Sequence, residues 1–264
     1  MHVDDFDLGL TLSCGQFFRF FPADSGYYVQ SREKVFFARQ EKDTLQIRGN
    51  VTRGMIRRFF RLDEDRSELF SLMRTYPELS ELPARYPGLR LIRQDPWECL
   101  ISYICATAAN IPKIKDNIES MARHFGQSIQ FDGIAFSAFP SPGALDCEKS
   151  LRACKCGYRA PFIEAVNMSL DEKRLNRLKR RRYEKAKEEL TKLPGVGEKV
   201  ADCVLLFSLG HDEAFPVDTR IRRVMRRLFV RDASDSAIRA FANERFARHA
   251  GYVQQYLYLL EGGV

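Results

Sequence analysis

Between residues 17 and 48 the chain sets aromatic and β-branched residues in short runs divided by polar turns. Phe17 to Phe21, Tyr27 to Ser31, Val35 to Arg39 and Thr44 to Arg48 read as strands, the first two parted by Pro22-Ala23-Asp24-Ser25-Gly26, and this spacing predicts an antiparallel meander. From Val51 the period lengthens: Met55, Phe59 and Phe60, then Leu69, Leu72 and Met73, recur as one face of a helix. Pro77, Pro83 and Pro87 interrupt the next segment, placing a domain connection near residues 77 to 90. Past it, Asp95-Pro96-Trp97-Glu98 offers an N-cap, a proline at the first helical position and an acidic first turn. Further helices fit Ile114 to Phe125, Pro161 to Ser169, Arg182 to Leu190, Glu198 to Leu209, Thr219 to Phe229, Ser234 to His249 and Val253 to Glu261. The expected fold class is α+β: an antiparallel sheet domain with helices over residues 1–88, packed on an all-helical domain over 89–264.

Composition narrows the function. At 264 residues, 45% hydrophobic and 29% charged, the chain is a globular protein able to bury a large core. It offers neither a run of about 18 apolar residues nor a secretory leader, so a cytoplasmic location without membrane attachment is expected. Seven cysteines, an odd count at irregular spacing, suit reduced thiols rather than a disulfide framework. The net charge of +7 suits a polyanionic partner. Its distribution says more: Lys173, Arg174, Arg177, Lys179, Arg180, Arg181, Arg182, Lys185 and Lys187 form one basic run and Arg220, Arg222, Arg223, Arg226 and Arg227 another. Such runs are ordinarily solvated helix faces, but these two flank one motif.

That motif is Leu193-Pro194-Gly195-Val196-Gly197-Glu198-Lys199-Val200-Ala201-Asp202. Gly195 and Gly197 supply a tight turn and let backbone amides approach a phosphate oxygen at the start of a helix. This is the helix-hairpin-helix signature of sequence-independent DNA binding. Lys199 falls in the first turn of the second helix, where the helix dipole disfavours an ammonium and would favour the free amine needed for nucleophilic attack. Downstream, Asp218 ends the loop Ala214-Phe215-Pro216-Val217 and is a natural N-cap.

Leu193 to Asp202 followed by Pro216-Val217-Asp218 resembles the signature of base-excision DNA glycosylases, and the lysine resembles that of members that are also lyases. Over nearly the whole chain the similarity is to the 8-oxoguanine DNA glycosylase/lyase family: Ser13 to Phe20, Leu91 to Leu100, Gly157-Tyr158-Arg159-Ala160, Lys199 to Cys203 and Ala250 to Gln254 match in order. The resemblance implies double-stranded DNA containing 8-oxoguanine as partner, a monomeric enzyme without cofactor, and a Schiff base on Lys199 assisted by Asp218. It implies that the Gly15 carbonyl reads the oxidised base, that Gln254 reads the base edge, and that Cys203 and Tyr258 stack on its faces, relatives carrying phenylalanine at the latter. It further implies Tyr158 as the intercalating wedge that helps unstack the target, Arg159, Asn110 and Lys113 as neighbours of the opposite strand, and Arg220 at the place of a phosphate-binding histidine. The hairpin carbonyls of Thr191, Leu193 and Val196 are those that hold a structural cation in relatives; no catalytic metal is expected.

Two departures bear on specificity. Relatives carry an asparagine where this chain has Ala108 and an arginine where it has Lys113, both beside the base opposite the lesion, so a relaxed opposite-base preference is expected. An alkylated-base glycosylase would lack Lys199. A non-catalytic hairpin module would need neither Lys199 nor Asp218 and would lack the matches at Gly15, Cys203 and Gln254.

Overall fold

The four polar-punctuated runs form a four-stranded antiparallel sheet in the computed structural model, which describes residues 1–262. A helix the strand-rich pattern does not announce comes first: α1 (Leu8–Ser13), capped by the Asp7 carboxylate on the Leu10 amide at 2.7 Å and burying Leu8, Thr11 and Leu12. Strands β1 (Phe20–Ala23), β2 (Gly26–Ser31), β3 (Lys34–Glu41) and β4 (Thr44–Gly49) then pair in chain order, with Phe36 opposite Val29 on one side and Gly49 on the other. The first strand begins at Phe20 rather than Phe17. The Gln16 carbonyl is taken by Gln94 Nε2 at 2.6 Å and Tyr103 Oη at 3.0 Å instead of by a neighbouring strand, and Phe17 and Phe18 enter different cores.

Helix α2 (Arg53–Phe59), capped by Thr52, lays Ile56, Phe59 and the following Phe60 against Val3, Leu12, Phe17 and Phe36 to close the smaller core behind the sheet. Helices α3 (Ser67–Arg74) and α4 (Leu82–Arg85) send Leu69, Met73 and Leu82 into the larger, helical core. At the centre of that core runs α5 (Pro96–Cys105), capped by Asp95 with Pro96 in its first turn as the sequence predicts, and buried along its whole length. Then comes α6 (Ile111–Phe125), capped by Asn110.

The region expected to be all-helical also contains a hairpin, β5 (Ser128–Phe131) with β6 (Ile134–Ser137), turning at Asp132 and Gly133, both with positive φ. Asp-Gly is a strong hairpin signal; it is obscured because β5 exposes alternate positions and buries little. Helices α7 (Glu148–Ala153), α8 (Ala160–Ser169) and α9 (Glu172–Arg177) come next, then the hairpin pair α10 (Tyr183–Thr191) and α11 (Glu198–Val204). Beyond Val204 the chain widens into a π turn over Leu205–Leu209 and stops at Gly210, whose φ of 87° is left-handed. The last three helices are α12 (Thr219–Leu228), α13 (Asp235–Phe246) and α14 (Ala250–Leu260).

A buried ion network ties the sheet to the helices. Arg19, 1% exposed, reaches Glu119 at 2.7 Å, Glu98 at 3.4 Å and the Ser137 carbonyl at 2.7 Å. Burial pushes the Glu98 carboxyl up to about 7 against the pull of Arg19. Removing one partner from such a network costs about 3 to 5 kcal/mol because the other charge stays buried.

Candidate active site and DNA interface

Gly15 can stand at the mouth of the helical layer because its φ of +85° is left-handed and a side chain there would collide with Tyr258 at 2.9 Å. The loop around it is held on both sides. Gln255 Nε2 holds the Cys14 carbonyl at 2.7 Å, and Gln94 and Tyr103 hold that of Gln16, whose own side chain reaches Thr11, Arg90 and Ile92. Between these anchors, no donor among the described residues reaches the Gly15 carbonyl.

That loop forms one wall of a cavity of about 700 Å³, whose lining includes Gly15, Lys199, Cys203, Asp218, Gln254 and Tyr258. Five of these six come from the helical region, on α11, at the N-cap of α12 and on α14. Lys199, half-buried in the first turn of α11, holds Nζ 5.2 Å from the centre of the Tyr103 ring. Sequence reasoning misses Tyr103, because a tyrosine inside an apolar helix reads as packing; here it anchors the Gly15 loop through its hydroxyl and stacks on Phe207 at 5.7 Å.

Cys203 lies one turn after Lys199. Burial pushes its thiol up to about 12, although Lys199 pulls it down, so the group beside the amine is neutral SH. Asp218 caps α12 by accepting from the Ile221 amide at 2.8 Å, as expected of an N-cap. One turn apart on α14, Gln254 donates from Nε2 to the Pro216 carbonyl at 3.3 Å while its buried Oε1 has no partner among the described residues, and the Tyr258 ring carries the Arg220 guanidinium 5.1 Å from its centre. An unpartnered acceptor in an otherwise satisfied interior costs about 1 to 3 kcal/mol, which marks it as awaiting a donor.

The hairpin orients this lysine. Asp202, fully buried on α11, accepts from Tyr183 Oη at 2.6 Å and Lys187 Nζ at 3.0 Å on α10. Its carboxyl is pushed up to about 6 by burial, against Lys187. The two hairpin glycines differ in purpose. At Gly195, φ is +75° and a side chain would strike Phe162 at 2.8 Å, so the fold itself requires glycine. At Gly197 nothing lies within 4 Å of an added Cβ; the fold leaves this surface open for another backbone to approach. Of the cation-site carbonyls, that of Leu193 accepts the Val196 amide at 3.1 Å. No group of three or more His, Cys, Asp or Glu side chains is gathered as metal ligands among the described residues.

Across the cavity mouth, Tyr158 is 53% exposed on a 3₁₀ turn, with its hydroxyl on the Thr107 carbonyl at 3.2 Å. Arg159 is 6% exposed; its Nε and Nη2 are committed to the carbonyls of Thr107 and Ala108, leaving Nη1. Ala108 itself has φ +49°, a conformation that favours glycine or asparagine. Asn110 caps α6 on the amide of Lys113, which is half-buried near the cavity rim.

The two basic runs behave differently. In the second, Arg222 pairs with Asp235, Arg223 and Arg227 with Glu261, and Arg226 with the Ala233 carbonyl, while Arg220 lies on Tyr258 with its Nη1 buried and unpartnered among the described residues. Most of that run therefore holds α12 in place. In the first run Arg181 pairs with Glu189, Lys185 with Glu188 and Lys187 with Asp202, while Lys173, Arg174, Arg177, Lys179, Arg180 and Arg182 are exposed and make no ion pair among the described residues.

A helix-hairpin-helix that carries a lysine into a cavity, faced by an N-cap aspartate, is the arrangement of the helix-hairpin-helix glycosylase superfamily. Residues 1–100 match the 8-oxoguanine DNA glycosylase N-terminal domain and residues 182–207 the helix-hairpin-helix motif. The chain is 31% identical to the 8-oxoguanine glycosylase/lyase of Clostridium acetobutylicum, whose structure in complex with DNA superposes with a TM-score of 0.91 over all of both chains. On these grounds the chain belongs to the 8-oxoguanine DNA glycosylase/lyase family. It is also 37% identical over 195 residues to a probable N-glycosylase/DNA lyase of Methanothermobacter thermautotrophicus and 34% identical over 186 residues to the N-glycosylase/DNA lyase of Saccharomyces cerevisiae. Those alignments take in 65% and 64% of this chain and span 62% and 50% of these two relatives' lengths.

Proposed function

We propose that the protein excises 8-oxoguanine from duplex DNA and then nicks the strand, with Lys199 as nucleophile and Asp218 as the charge that stabilises the developing sugar cation. One observation carries the reading: a half-buried amine, an N-cap carboxylate and hydrogen-bonding groups without partners meet in one cavity. Attack of the amine on C1′ forms the C–N bond as the glycosidic bond breaks, and the base leaves with the electron pair and takes up a proton. Opening of the sugar gives a Schiff base, which acidifies the C2′ hydrogen; its loss drives β-elimination of the 3′ phosphate and leaves a nick.

In this reading Gly15 and Gln254 address the edges of the extruded base, Cys203 and Tyr258 cover its faces, and Tyr158 offsets part of the few kcal/mol needed to unstack it. Gly195, Gly197, Arg220 and the exposed first basic run receive the DNA backbone, and Asn110, Lys113 and Arg159 face the opposite strand. The sheet unit over residues 1–88 contributes the Gly15 loop and the helical unit over 89–264 the rest. The relative solved with DNA containing cytosine opposite 8-oxoguanine supports a duplex substrate. Opposite-base preference is relaxed in this chain, because Ala108 offers no side-chain hydrogen bond and two of the three Arg159 nitrogens are committed to its own backbone. The reading goes with a cytoplasmic location, at the nucleoid if the cell is prokaryotic, and with action as a monomer. No helix is long and apolar enough to cross a membrane among the described residues.

Borohydride trapping on an 8-oxoguanine duplex tests the proposal. The wild-type protein is expected to form a covalent adduct, and Lys199→Gln to form none, with strand nicking reduced at least about 1000-fold. A protein that retains duplexes yet gives no adduct refutes the lyase reading, and base release without nicking then separates a monofunctional glycosylase from a non-catalytic hairpin module.

A further inference from the structure

The cavity has a polar group to which the proposed chemistry gives no task. Tyr258 brings a phenolic hydroxyl to the Gly15 end of the pocket: a Cβ placed on Gly15 would lie 3.1 Å from that oxygen and 2.9 Å from the ring. The hydroxyl makes no hydrogen bond among the described residues, and it is not sealed in the interior, since Tyr258 lines the cavity and is only part-buried. Burial raises its pKa, so it remains a phenol that can donate. The Arg220 guanidinium over the ring withdraws electron density from it, which strengthens an O–H donor. Beside it, the Gly15 carbonyl is an acceptor without a donor.

The hydroxyl thus lies against the residue that bears this carbonyl, and one donor and one acceptor, both uncommitted among the described residues, complement a ligand that offers an acceptor next to a donor. Oxidation of guanine at C8 creates that pair: an N7–H donor beside a C8 carbonyl acceptor, where guanine has an N7 acceptor and a C8–H. We infer that Tyr258 is a specificity-determining residue, donating from its hydroxyl to the C8 oxygen of the extruded base while the neighbouring Gly15 carbonyl accepts from N7–H. The inference rests on the proposed 8-oxoguanine activity and adds to it a contact to the oxygen that defines the lesion. A phenylalanine at this position would keep the stacking ring and omit that contact.

Tyr258→Phe isolates the hydroxyl. Three quantities decide the matter under single-turnover conditions: excision of 8-oxoguanine, strand nicking at a preformed abasic site, and binding to duplexes carrying uncleavable 2′-fluoro 8-oxoguanine or 2′-fluoro guanine. The expected result is a loss of about 3- to 10-fold in excision and in preference for the oxidised over the normal base, the worth of one neutral hydrogen bond, with abasic-site nicking within about twofold of wild type. Unchanged excision and preference in the variant overturn the inference. So does an equal loss at the abasic site, which would mean that the hydroxyl supports the pocket rather than the base. Failure of the parent reading is seen separately, because the wild-type protein would then leave 8-oxoguanine intact before any variant is compared.

Discussion

At the lesion side of the site, three residues that line the cavity each keep a polar group without a partner among the described residues: the buried Gln254 Oε1, the Gly15 carbonyl and the Tyr258 hydroxyl. On the side proposed to face the opposite strand, the Tyr158 hydroxyl and the Nε and Nη2 of Arg159 are already bonded to the carbonyls of Thr107 and Ala108. Both regions use polar groups on structured elements, but in the second most of the hydrogen-bonding capacity of Tyr158 and Arg159 is spent on the chain's own backbone, which leaves Arg159 Nη1 and Lys113. A group that must first break an internal bond gains little net free energy from a new one, whereas an unpartnered acceptor recovers its full desolvation cost on meeting a donor. On the proposed reading, this contrast would make the scaffold strict about the damaged base and permissive about its partner.

The largest effect that would sharpen this contrast concerns charge rather than recognition. Asp218→Asn keeps the cap on Ile221, since asparagine caps as well as aspartate, but removes the carboxylate. Excision is expected to fall about 100- to 1000-fold with an unchanged melting temperature; a fall in both would mean that the cap, not the charge, is what matters. Next, Gln254→Leu deletes the waiting acceptor. A 10- to 100-fold loss, about 1 to 3 kcal/mol, is expected on 8-oxoguanine, with little change on an abasic site that has no base to read.

The comparison can also be broken from the other side. Across duplexes with each of the four opposite bases, wild-type rates are expected to fall within about fivefold, each missing base contact being worth about 1 to 3 kcal/mol of discrimination. The double variant Ala108→Asn with Lys113→Arg should then favour cytosine by about tenfold. A strongly cytosine-selective wild type would show that Arg159 Nη1 suffices, and that committed neighbours do not disarm a recognition residue. The smallest effect is on stability. Ala108 sits at φ +49°, where asparagine is better tolerated than alanine, so Ala108→Asn alone is expected to raise unfolding free energy by about 0.5 to 1 kcal/mol in urea titration.

Local sequence determined much of this protein. The meander, the Asp95-Pro96 helix start, the hairpin glycines, Lys199 in a first turn and Asp218 as a cap depend on neighbours a few residues away, so their patterns can be read along the chain. The hairpin at Asp132-Gly133 was also written locally, though masked by exposed, weakly apolar strands. Tertiary structure decided the rest. Nothing near Gln254 says that its Nε2 would meet Pro216 and its Oε1 nothing, and nothing near Tyr103 says that it would hold the Gly15 loop. Likewise the second basic run reads as a phosphate surface until Asp235 and Glu261 arrive to pair with it. Whether a polar group is free or committed depends on atoms remote in sequence and close in space. A linear pattern therefore names the candidates, and only the packed chain decides which still have a hydrogen bond or a charge to offer.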